Sequence, residues 1–221
     1  MQTLLHLLPL AIALAISTVP ILAALLILLS PNRSRSAVPF LIGMLTGMFA
    51  VAAVFTMAAQ LVPSARLPRR TEEAVGQLEI IVGIALILLG LFSIWRARRS
   101  EAKAIPAWLK SAETLGPVSS FGLAFILNLR LKSLLLASAA GLALRADVKS
   151  TAEAVIWLVV YTLIGASTVA VPIVATVISP GRTEPRLVAG REWLTRNGEL
   201  LTGIILLIIG AIVIVVGISR L

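Results

Sequence analysis

The chain contains no cysteine, so it has neither a disulfide framework nor a thiolate metal site. Histidine is nearly as scarce. His6 is the only one, and no apolar segment carries two acids at helical i, i+3 or i+4 spacing. That inventory leaves metal-dependent lipid chemistry without ligands and disfavours a metal exporter. A hydrolase would need a base beside its nucleophile, and the sequence offers none. No catalytic residue, metal or cofactor is therefore expected, and the chain is not read as an enzyme. Charge is also thin: 13% of the 221 residues are charged and 59% are hydrophobic, at a mean hydropathy of +1.04. A soluble globular domain carries about twice that charge.

What the sequence does contain is a series of apolar runs, each near the roughly 20 residues that cross a bilayer core. Six spans are read at 4–29, 37–61, 74–95, 117–144, 152–178 and 198–218, separated by connectors containing Pro, Ser, Arg and Gly. Little chain remains for a soluble domain, so residues 1–221 are expected to form one all-α membrane domain. The first run lacks a basic leader and exceeds the apolar length of a signal peptide. It reads as a span, although Ala11-Ile-Ala-Leu-Ala15 imitates a cleavage site.

The net charge of +9 would suggest nucleic acid in a soluble protein, but here the cations sit mostly in short connectors and report orientation. Arg33, Arg35, Arg96, Arg98, Arg99, Lys103, Lys110, Arg182, Arg186, Arg191 and Arg196 follow spans one, three and five; Arg66, Arg69, Arg70, Arg145, Lys149 and Arg220 lie on the other side. The positive-inside rule then places both termini outside the cytoplasm, in the cytoplasmic membrane, with Trp95, Trp108 and Trp193 at the inner interface. The connector near 182–196 is either a short amphipathic helix on the leaflet or a solvated loop.

An internal repeat adds a constraint. "LEIIVGIALILLG" in span three and "GELLTGIILLIIG" in span six align with a 120-residue offset, pairing Glu79 with Glu199, Gly83 with Gly203 and Gly90 with Gly210. Two halves, 1–110 and 111–221, would each hold three spans. An odd number inverts the second half, giving the inverted repeat of secondary transporters. Gly76, Gly83 and Gly90, like Gly203, Gly210 and Gly217, recur every seven residues and are read as helix-packing faces; Gly43 and Gly47 form a GxxxG pair of the same kind.

The remaining two cations, Arg130 and Lys132, lie inside span four together with Asn128. Facing lipid, each would cost about 2.5–3.5 kcal/mol or more. On a continuous helix Asn128 and Lys132 would share a face while Arg130 pointed nearly opposite, and the run is longer than a straight crossing needs. Both facts favour a broken or re-entrant span, with snorkelling to an interface as the alternative. Span one holds the matching interruption, Ser17-Thr18-Val19-Pro20, where Pro20 removes a backbone donor and marks either a kink or a site. The expected binding set is Arg130, Lys132, Asn128, Thr18 and Pro20 around a polar cavity that takes an anionic group. Glu79 and Glu199 are expected as gating or proton-coupling carboxylates, or as acids held by helix N-terminal dipoles; either could also neutralise the span-four cations.

Lys132-Ser-Leu-Leu-Leu-Ala-Ser-Ala-Ala-Gly141 resembles the "NPKNLLLALAAG" element of the GAP/Sap proteins, the glycopeptidolipid- and sulfolipid-addressing proteins of the LysE transporter superfamily. Ser30-Pro-Asn-Arg33, followed by Ala37, Phe40, Gly43 and Gly47, resembles that family's turn after span one. The family's Asn-Pro is Arg130-Leu131 in this chain, so a proline does not drive the break. The resemblance implies a six-span exporter or flippase-like protein for amphipathic lipids or small solutes. Expected partners are membrane lipids and an anionic or amphipathic substrate, with no nucleic acid; a second copy in a homodimer or a lipid-synthesis complex is a further candidate. The alternatives are a non-catalytic assembly subunit of such a complex and a small-solute or cation exporter.

Overall fold

A computed structural model of the protein describes residues 2–60, 68–99, 111–148 and 150–220. They form helices α1 (Gln2–Ala15), α2 (Thr18–Leu28), α3 (Arg33–Ala59), α4 (Pro68–Arg99), α5 (Pro117–Leu127), α6 (Leu131–Asp147), α7 (Thr151–Ile178) and α8 (Pro180–Ser219). One 3-10 turn, Ser111–Thr114, precedes α5, and no strand is present among the described residues. Arg66, Lys103, Trp108, Lys110 and Lys149 lie outside the described residues.

Parts of α3, α4, α7 and α8 are each long and apolar enough to cross a membrane. Two further crossings are bent pairs: α1 and α2 meet at 45°, α5 and α6 at 62°. The chain is thus a multi-pass membrane protein, with four to six apolar spans according to how the bent pairs are counted. Both interruptions expected in spans one and four are present.

Local chemistry explains the helix starts. Pro117 and Pro180 open α5 and α8, where a missing N–H breaks no helical bond. Ser150 caps α7 by accepting the Glu153 N–H at 3.2 Å, with the acid of Glu153 in the first turn. Pro20 falls in the first turn of α2, so the proline follows the break rather than kinking a continuous helix.

Helix α2 is apolar on every side, and Leu22 to Leu28 are all buried, which makes it a central element. The 182–196 connector is neither a loop nor a separate surface helix. It is the first part of the 40-residue α8, about 60 Å long at 1.5 Å per residue, or about twice a bilayer core. The cause is tertiary: Leu187 is buried in the main core, and Gly190 sits against Leu25 of α2. Of the amphipathic face, Leu187 and Leu194 pack on protein while Val188 and Trp193 stay exposed.

The most extensive helix pairing joins α4 to α8. A Cβ on Gly90 would lie 2.9 Å from the Gly203 carbonyl oxygen, and one on Gly210 2.8 Å from that of Gly83. Gly76 likewise faces Gly217, so the helices run antiparallel with backbones in contact along the seven-residue glycine rows. Gly43 and Gly47 of α3 admit α5 in the same way, against Phe121 and Phe125. His6 of α1 and Arg220 after α8 meet at 3.3 Å, so the two ends of the chain lie at the same end of the bundle.

Candidate functional site

The break between α1 and α2 frees backbone carbonyls that a continuous helix would bond internally. Two distant side chains take them up. Lys132 Nζ donates to the Ile16 carbonyl at 3.0 Å, and Thr168 Oγ1 of α7 donates to that of Ala15. Lys132 stands at the start of α6, beyond the second break, so the two breaks face each other. The carbonyl end of α1 carries the negative pole of its dipole, which compensates the buried ammonium without an acid. Replacing Lys132 with Met is expected to lower stability by about 1–2 kcal/mol, because a buried carbonyl loses a charged donor. Lys132→Arg should retain most of it. Thermal melting in detergent checks this, and a Lys132→Met protein that melts with the wild type would show that the contact does not bind the breaks together.

Asn128 and Arg130 turn elsewhere. Asn128 is 1% exposed, donates from Nδ2 to the Ala124 carbonyl at 2.9 Å, and fills the notch at Gly47, where a Cβ would come within 2.7 Å of Nδ2. Its Oδ1 is buried without a partner. Arg130 caps α6 in extended conformation without a side-chain hydrogen bond to the helix, and it is exposed between exposed Leu129 and Leu131. Its carbonyl accepts the Leu134 N–H at 3.0 Å, but no hydrogen bond or ion pair of the Arg130 side chain is present among the described residues. The first N–H groups of α6 are uncapped beside this guanidinium. Uncapped donors and a cation at a helix N-terminus suit an anion.

The expected single cavity is therefore divided. Thr18 faces α8, donating to the Gly198 carbonyl at 2.8 Å and lying 2.9 Å from Thr202 Oγ1. Pro20 is buried in α2. The 62° bend sends Asn128 toward α3, Lys132 toward α1 and Arg130 outward, so helical spacing across the break no longer decides which residues share a face.

Glu79 and Glu199 lie near opposite ends of the α4/α8 pair. Neither belongs to a first helical turn, because both helices begin earlier than their apolar runs; the helix-dipole explanation fails for both. Glu199 is half-exposed, with Arg96 Nε at 3.5 Å. Glu79 is 2% exposed, and Arg220 Nε lies 3.1 Å from its Oε2, an ion pair rather than a well-directed hydrogen bond. Among the described residues, Arg96 lies beside Glu199 and Arg220 beside Glu79, and neither acid is paired with Arg130 or Lys132.

Arg220 also donates from Nη2 to Asp147 Oδ1 at 3.0 Å, and Asp147 Oδ2 lies 2.6 Å from His6 Nδ1. His6, Asp147 and Arg220 were not anticipated as site residues. His6 and Arg220 are lone ionisable groups near the ends of their spans, and Asp147 lies between Arg145 and Lys149 just past its own; that is the local signal they carry. Beside His6 and Glu79 lies an apolar pocket lined by Leu10, Ala139, Ala143, Val213 and Val216. Among the described residues no three His, Cys, Asp or Glu side chains gather to hold a metal ion.

No curated protein and no solved structure matches the chain. The model of the family described as Sap, sulfolipid-1-addressing protein, matches residues 7–219, nearly the whole length, and the chain belongs to that family.

Proposed function

We propose that the chain moves an amphipathic lipid with an anionic head group, such as a sulfated glycolipid, across the cytoplasmic membrane as an exporter of the LysE type, with no catalytic step. The carrying observation is Arg130: an exposed guanidinium beside the uncapped N-terminus of α6, midway along a broken span. Leu129 and Leu131 flank it outward, so a head group would reach it from the lipid side while the acyl chains stay in the bilayer. The family name supplies the sulfolipid class, and a sulfate matches a planar guanidinium plus backbone N–H donors.

The architecture is read as two inverted halves, which supports alternating exposure of the facing breaks. Gly83 faces Gly210, while Gly203, its counterpart 120 residues on, faces Gly90. That exchange of partners is what a two-fold axis in the membrane plane requires. The breaks themselves follow another offset, since 120 residues beyond Ser17 lies Ala137, inside α6, so the connectors differ in length. The cation-rich connectors support a topology with both termini outside the cytoplasm.

Purified protein in vesicles should accelerate leaflet exchange of a labelled sulfated glycolipid at least about tenfold over empty vesicles, a barrier change of about 1.4 kcal/mol. An uncharged glycolipid with the same chains should gain far less. Exchange no faster than in empty vesicles would defeat the reading and favour an assembly subunit that works only with a lipid-synthesis partner.

A further inference from the structure

We infer that His6, Asp147, Glu79 and Arg220 form a proton-binding site that locks one mouth of the protein. The four residues come from α1, the end of α6, α4 and the end of α8, so His6 and Glu79 of the first half are held to Asp147 and Arg220 of the second. Two carboxylates face one guanidinium. The group balances when it carries one further proton, and His6, the most exposed member, takes it against Asp147; without that proton the cluster holds one uncompensated negative charge in a largely dry setting. Side-chain exposure falls from 25% at His6 through 13% at Arg220 and 8% at Asp147 to 3% at Glu79, so His6 is the port through which the proton exchanges with water.

Among the described residues, the charged groups around His6 are few. Helix α6 brings Asp147; α8 brings Arg220, whose Nη2 also lies 3.3 Å from His6 Nδ1, and Glu79 of α4 is reached through it. Helix α7 carries Glu153, exposed in its first turn, and the buried phenol of Tyr161 as its ionisable groups. Histidine is the side chain that ordinarily changes charge between about pH 5 and 8. Loss of its proton to water leaves Asp147 and Glu79 competing for Arg220, the ties between the halves loosen, and the pocket beside them becomes open to water. Proton binding does not depend on the cargo; only its service as a gate rests on the transport reading.

A single thiol tests this, because the chain has no cysteine of its own. Val216→Cys lies in the pocket wall one turn below Arg220, and Ala152→Cys on exposed α7 corrects for the thiol's own titration. In nanodiscs, the labelling rate of Val216→Cys by a charged methanethiosulfonate, divided by that of Ala152→Cys, should rise about tenfold between about pH 5.5 and 8. His6→Gln should leave the ratio high at both pH values, since the charge stays unbalanced. Glu79→Gln should leave it low at both, since one carboxylate then balances Arg220 without a proton. A flat ratio in the otherwise wild-type background, or the same rise in either variant, would overturn the proposal.

Discussion

Replacing Arg130 with Gln is expected to slow transfer of an anionic glycolipid by at least about tenfold, with little change in thermal stability. A hydrogen bond to a charged group is worth about 1.5–3 kcal/mol, so losing the guanidinium where the head group binds costs a factor of roughly 10 to 150. Stability should move by no more than about 0.5 kcal/mol, because the side chain is exposed and no hydrogen bond or ion pair to it is present among the described residues. Arg130→Lys keeps the charge but loses the planar fork, so an intermediate rate is expected. Vesicle exchange measured beside detergent melting separates the two readouts. A wild-type rate in Arg130→Gln would remove the residue from the binding site. Equal slowing of an uncharged lipid would assign it to the shape of the break instead.

The α4/α8 glycine seam supports a second large effect, this time on folding. Gly83 holds its neighbours so closely that an added Cβ would lie 2.9 Å from the Gly210 carbonyl oxygen and 2.6 Å from Ile214 Cγ1. Gly83→Leu must push two antiparallel backbones apart over several turns, and because Gly76 and Gly90 sit in the same row the strain spreads along the pair. Overpacking usually costs about 1–3 kcal/mol; here backbone is the obstacle, and a loss of about 3 kcal/mol or more is expected. Gly122→Ala gives the opposite result. Nothing lies within 4 Å of a Cβ at Gly122, so alanine should be neutral or stabilise α5 by up to about 1 kcal/mol. Melting temperature and size-exclusion profile in detergent decide the matter: if Gly83→Leu behaves as the wild type, the seam does not hold the halves together.

The sequence alone determined that this is a multi-pass all-helical membrane protein, because apolar run length is a local property and the bilayer sets its scale. It also located both interruptions. Asn128, Arg130 and Lys132 could not share a face in a continuous helix, and that contradiction is readable from 100° per residue. The glycine rows were legible for the same reason, as a seven-residue period along one helix. What the local pattern could not contain was the partner of each row or polar group. Lys132 ends on the carbonyl of Ile16, Thr18 on α8, and His6 on Asp147, at separations of 116, 180 and 141 residues. Glu79 and Glu199 look equivalent in their matching segments; only the tertiary structure buries Glu79 beside Arg220 and leaves Glu199 half-exposed beside Arg96. In the same way, the extension of α8 through 182–196 depends on Leu187 reaching the buried core and Gly190 lying against Leu25 of α2. Periodicity specifies which face of a helix is apolar, whereas the bends at the two breaks and the packing of one half on the other decide what that face meets.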